Sequence, residues 1–217
     1  MIIEMILIGF LFLFILVTFF ASVAFGNTIG DVDSDDRLQK INNDPKKFQI
    51  SVVLALIEKV SVIVLAIMLF IVFSPYNIIL GIVWTISRIG EGLIQFYNEK
   101  NYWGLLNIAR QYSGTSGAEK NSLSDLTRTI LKTKDFRFKF AMISWSIGTL
   151  AYSIVLVTYG VVPHIIGWLG IVASILVGFG NGIELVKPNF KVPAIGGLSA
   201  ILFEVIIGGW LLFYSII

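Results

Sequence analysis

The chain contains no cysteine. That removes disulfides, thiolate metal sites, a cysteine nucleophile and cysteine-linked lipid anchors, and it leaves the redox compartment unreadable. Histidine occurs once, at His164, so one chain cannot assemble a multi-histidine metal site. Charge is scarce too: Asp, Glu, Lys and Arg make up 14% of the 217 residues, where a soluble domain carries roughly a quarter. A net charge of +2 is too small to argue for nucleic acid. No serine elbow, zincin, nucleotide-loop or dinucleotide fingerprint is present, and no cofactor is implied.

What is abundant is apolar length. The chain is 56% hydrophobic with a mean hydropathy of +0.86, and its few charges are gathered into short blocks between long uncharged runs. This is the pattern of a polytopic membrane protein. Runs of about 20 apolar residues fall near 2–25, 48–74, 77–98, 137–159, 163–185 and 193–215. Their continuous Ile, Leu, Val and Phe content reads as helix, because barrel strands would alternate. The expected fold is therefore all-α: one membrane domain over 1–217, a bundle of six transmembrane helices. Ser22-Val23-Ala24 has the character of a signal-peptidase site. Yet "MIIEMILIGF" lacks a basic n-region and the apolar stretch is long, so the segment reads as a retained span.

Six spans put both termini on one side with the turns "SPYN" and "GVVPH". Every Lys and Arg except Lys59 and Arg88, which lie within spans, belongs to the opposite side or its edge. Basic loops stay in the cytoplasm, so the termini are expected on the non-cytoplasmic side. The loop over 99–136 is the longest. Trp103, Leu106 and Ile108 suit a segment lying on the inner membrane surface. A second helix, capped by Ser122 or Ser124, is expected to run into span 4. "DVDSDD" (Asp31, Asp33, Asp35, Asp36) reads as a solvated loop, since an EF-hand would need Gly and Glu where Asp36 and Asn42 stand. His164 reads as part of a wet outer turn.

"ISRIGEGLIQ" places Arg88 and Glu91 inside span 3, one helical turn apart, with Gln95 continuing their face. At 1.5 Å per residue, Arg88 lies roughly 18 Å from the outer end of its span; Glu58 and Glu204 lie roughly 16 Å from the inner ends of theirs. All three fall near the midplane of a core about 30 Å thick. A lone charge there costs at least about 2.5–3.5 kcal/mol, which pairing offsets. Arg88 is expected to be the hub, bonding Glu91 locally and Glu58 or Glu204 across helices, with Lys59 directed elsewhere. Such a layer either fixes helix register or lines a cavity for a polar or amphipathic ligand. In span 5, Gly170, Ser174, Gly178 and Gly182 form a small-residue stripe that reads as a helix-packing surface.

Three blocks then resemble the six-span prokaryotic membrane family catalogued as domain of unknown function 4386. "NNDPKKFQISVVLALIEKVSVIVLAIMLFIVFSPYNIILGIVWTISRIGEGL" is similar to its second and third spans, including Arg88 and Glu91. "IGTLAYSIVLVTYGVVPHIIGWLGIVASIL" is similar to its fourth and fifth, with Gly148, Tyr152, Pro163, Trp168 and Gly170. "LFEVIIGGWLLF" resembles its last, with Glu204 and Trp210. The family commonly carries a basic residue after the Pro where this chain has His164. The resemblance implies architecture and a prokaryotic cell membrane, but no reaction. The resulting expectation is a non-catalytic ligand- or partner-binding membrane component. Membrane lipids surround it, and an amphipathic small molecule or a membrane protein are its candidate partners; nucleic acid is not. The alternative is a small transporter, and behind it a membrane-embedded lipid-modifying enzyme.

Overall fold

The computed structural model describes residues 2–27, 33–187 and 195–214. Helices α1 (Ile2–Ala24), α3 (Pro45–Phe73), α4 (Ile78–Trp103), α6 (Gly117–Tyr159), α7 (His164–Val186) and α8 (Ile195–Tyr214) are the six apolar elements that the hydropathy pattern predicts. Each is long and apolar enough to cross a membrane. Two short helices, α2 (Ser34–Asn43) and α5 (Leu105–Gly114), complete the described structure.

The six long helices form a closed ring. α1 packs on α3, α3 on α4, α4 on α6, α6 on α7, α7 on α8, and α8 returns to α1. The closing contact is close and antiparallel. A Cβ on Gly9 would stand 2.5 Å from the Leu212 amide nitrogen and 2.7 Å from the Gly208 carbonyl oxygen. Glycine is therefore needed there for backbone to meet backbone. The same contact puts the start of α1 beside the end of α8, so the described ends of the chain share one end of the ring. The loops that carry the basic residues are at the other, called here the basic end.

Among the described residues, that basic end carries a small cap. Asp33 caps α2, its carboxylate accepting from the amides of Asp35 and Asp36, both 3.0 Å away. The expectation of a solvated loop over "DVDSDD" is thus corrected: an Asp with free amides ahead of it is an N-cap. Asp31 lies outside the described residues. α5 packs on α2, and Leu38, Ile41, Phe48, Tyr102, Leu106 and Tyr112 form a second apolar core. Trp103 and Ile108 pack against this core, so the expected surface segment turns its apolar face inward on the cap. α6 does run unbroken into span 4, but it starts at Gly117. Ser122 and Ser124 are interior to it, and Ser124 instead shares a hydrogen bond with Ser34 of α2 at 2.8 Å. Exposed His164 opens α7 next to its Pro163 cap.

The small-residue stripe is only partly a packing surface. Gly170 lies against Ser153 and Phe203, and Gly178 lies 3.0 Å (as a built Cβ) from Ser146; buried Ser174 sits between them. A Cβ on Gly182 would meet nothing within 4 Å, so that end of the stripe is corrected to open space.

Candidate functional site

All six ring helices line one cavity of about 300 Å³. The lining runs from Arg88 and Glu204, near mid-height, to Glu184 at the end of α7 and Gly196 at the start of α8. The cavity therefore occupies the half of the ring nearer the basic end. The other half is solid. Phe12, Leu69, Phe73, Trp84, Tyr152 and Leu156 belong to one buried core, with ring centroids 5.4 Å apart for Phe73 and Tyr152 and 5.0 Å for Trp84 and Tyr152.

α4 supplies the most polar wall because Trp84, Arg88, Glu91 and Gln95 recur at four-, three- and four-residue steps, which is one helical face. Arg88 is 1% exposed. Its Nη1 lies 2.7 Å from Glu91 Oε2, and its guanidinium carbon stands 5.4 Å and 5.9 Å from the ring centroids of Trp84 and Trp145. Gln95 donates to Glu91 Oε1 at 3.2 Å. The absence of a side chain at Gly148 on α6 makes room for the arginine stem, since a Cβ there would approach Arg88 Cγ at 3.1 Å.

The expected hub is replaced by local pairs. Arg88 holds Glu91 but reaches neither Glu58 nor Glu204 within ion-pair distance. Glu58 instead accepts from its sequence neighbour Lys59. Lys59 is thus corrected as well: two adjacent residues start about 100° apart on a helix, but the flexible lysine stem folds back, and both groups line the cavity. Glu204 on α8 accepts from the Trp145 indole N–H of α6 at 3.0 Å. The five expected polar residues, Glu58, Arg88, Glu91, Gln95 and Glu204, do face one space. Among the described residues, Glu204 has no Lys or Arg nitrogen within 4.0 Å. With Glu58 and Glu91 each matched by a cation, Glu204 is the carboxylate left over.

A narrow extension shares Glu58, Lys59 and Gln95 with the main cavity and ends at Asn27, Glu99 and Lys134. There the Lys134 ammonium lies 3.1 Å from Glu99 Oε1 and donates to Asn27 Oδ1 at 2.5 Å. Asn27 in turn donates to Glu99 Oε2 at 3.3 Å. Lys134 also stands 3.3 Å from the centroid of the Tyr102 ring. This buried knot joins the end of α1, α4, α6 and the cap. Neither it nor Trp145 stands out in the sequence: Asn27, Glu99 and Lys134 sit at span edges, where polar residues are ordinary. At the mouth, Glu184 pairs with Lys139 at 3.3 Å.

A larger groove of about 760 Å³ lies between α6 and α7 on the outside of the ring, with Ile147, Ile175 and Phe179 in its walls and Gly182 in its floor. It is apolar almost throughout, with no converging polar groups, and faces where acyl chains would run.

These features coincide with one class of protein, a membrane-type helical ring with an acid-rich polar cavity. The family described as Domain of unknown function (DUF4386) matches residues 7–214, and the chain belongs to it. No curated protein and no solved structure matches the chain.

Proposed function

We propose that the chain is a non-catalytic membrane component that binds a small amphipathic ligand carrying one positive charge. The cation would sit at Glu204, and the apolar part against Phe19, Val62, Met142 and Ile201. The observation that carries this reading is the Glu204 carboxylate, held by an indole N–H but facing the cavity without a cation. A half-buried carboxylate without a cation is costly at this depth, and a ligand cation or a proton relieves it. The cavity volume lies at the lower edge of the range that small-molecule sites occupy, which runs from about 300 Å³ upward, and its mix of apolar walls with few polar groups is the usual one. On the positive-inside rule the basic end belongs in the cytoplasm and the termini outside, in a cell membrane; the ligand then enters from the cytoplasmic half.

The test uses the detergent-solubilised chain and three probes of one length, hexylammonium, hexanol and hexyl sulfate, followed by thermal unfolding and tryptophan fluorescence. Hexylammonium is expected to raise the unfolding temperature and to perturb Trp145, and Glu204→Gln to remove both effects while leaving the protein folded. Equal responses to the three probes, or unchanged amine binding by Glu204→Gln, would overturn the proposal. A small transporter is the second reading, favoured by a polar cavity that already reaches mid-height from one end. A lipid-modifying enzyme has less support, since the lining has no hydroxyl or thiol nucleophile among the described residues.

A further inference from the structure

At the basic end, a second pocket of about 270 Å³ lies where α1 ends and α3 begins, bounded by Phe25, Gly26, Arg37, Lys40, Asp44 and Lys47. We infer that this pocket binds the phosphate group of an anionic lipid headgroup.

The central observation is Arg37. It is 5% exposed, yet among the described residues no carboxylate lies within 4.0 Å of its guanidinium. Its Nη2 donates to the Gly26 carbonyl oxygen at 2.6 Å, and its guanidinium carbon stands 5.4 Å from the centroids of both Phe48 and Tyr102. Its Nε is buried and has no hydrogen-bond partner among the described residues. A guanidinium seated on two rings that pack on each other, their centroids 5.3 Å apart, presents a planar donor edge of the kind that fits phosphate. A buried cation without a counter-charge is unfavourable, and an anion in the adjoining pocket supplies what the described residues do not.

The rim agrees with the floor. Lys40 and Lys47 are exposed and form no ion pair among the described residues. Asp44 is the one acid in the lining, and its Oδ1 is already engaged with the Lys47 amide at 2.9 Å, capping α3. Three cations therefore face one committed carboxylate. The position selects the source of the phosphate. Phe25 is 41% exposed on the rim directly after the α1 span, which puts the pocket at the boundary between acyl chains and water. The aromatic side chain can lie along the lipid tails while the cations hold the headgroup.

The experiment measures thermal unfolding of the full chain in detergent micelles doped with phosphatidylglycerol or phosphatidylcholine, and separately with inorganic phosphate at matched ionic strength. Phosphatidylglycerol is expected to raise the unfolding temperature and phosphatidylcholine not to. Lys40→Gln with Lys47→Gln is expected to raise the half-saturating phosphatidylglycerol about fivefold per lysine removed. Lys100→Gln with Lys132→Gln, exposed cations at the same end, serves as the control and should leave it unchanged. A response to inorganic phosphate equal to that for phosphatidylglycerol would assign the pocket to a free anion and overturn the lipid assignment. Equal effects of the two lipids, or equal losses in the two double variants, would overturn the site itself.

Discussion

Replacing Arg88 by Leu tests whether the polar layer is held by charge pairing. Arg88 and Glu91 are 1% and 3% exposed, with 2.7 Å between Nη1 and Oε2. Removing one partner of a buried pair costs about 3–5 kcal/mol, because the other charge stays buried without compensation. Gln95 is the remaining donor on Glu91, and an amide does not neutralise a carboxylate. For a chain of this size each kcal/mol corresponds to roughly 2–4 °C, so Arg88→Leu should unfold about 6–20 °C earlier. The loss could also come from packing, since the arginine fills the space between Trp84 and Trp145. The double variant Arg88→Leu, Glu91→Leu separates the two causes. Exchanging both members of a buried pair for apolar residues is often close to neutral. Thermal unfolding in detergent, read by tryptophan fluorescence, should therefore show the double variant recovering most of the drop. A double variant as unstable as the single one, or a single variant that melts like the parent, would refute the pairing argument.

Gly9→Ala should lower stability by about 1–3 kcal/mol, because its methyl group would meet the backbone of α8 rather than a flexible side chain. Gly182→Ala, facing open space, should be neutral or up to about 1 kcal/mol stabilising through helix propensity; melting curves of the pair decide whether α1 and α8 meet this closely. Lys134→Met should leave Glu99 uncompensated and loosen the cap on the ring. Limited trypsin digestion should then cut between 100 and 132 at least roughly tenfold faster than in the parent; an unchanged rate would show that the knot does not hold the cap.

The six spans were legible because hydropathy reports directly on what a membrane demands of a helix, and their bounds fall within a few residues of α1, α3, α7 and α8. The cap was not. α2 has a polar, charged sequence whose buried residues, Arg37, Leu38 and Ile41, become meaningful only against Tyr102 and Leu106 some sixty residues away. The level of the charges was readable from position along each span, so Glu58, Arg88, Glu91 and Glu204 were placed in one layer. Their pairing was not, because it depends on rotamers. Lys59 has a flexible stem that can fold back to its neighbour, and Trp145 competes for Glu204 with an N–H that no charge pattern advertises. A carboxylate–indole contact between residues 59 positions apart leaves no periodic trace.

The shape of the cavity ranks binding ahead of transport. Passage through the ring would require the solid half to part, separating Phe73 from Tyr152 and Trp84 and opening the core around Leu69 and Leu156. Fully exposing even three such side chains would cost about 5–9 kcal/mol at 1.5–3 kcal/mol each, and a second cavity lined with them would offer a ligand no charged group. Binding needs none of this: the acidic floor, the apolar walls and the route from the basic end are present together in one conformation. A transporter would have to reach a second arrangement in which Tyr152, whose hydroxyl is buried without a hydrogen-bond partner among the described residues, meets water. The Trp84 indole, its ring centroid 5.0 Å from that of Tyr152, is the natural reporter. If reconstituted protein exposed it to a water-soluble quencher from the termini end on adding hexylammonium, alternating access would displace simple binding as the reading of this cavity.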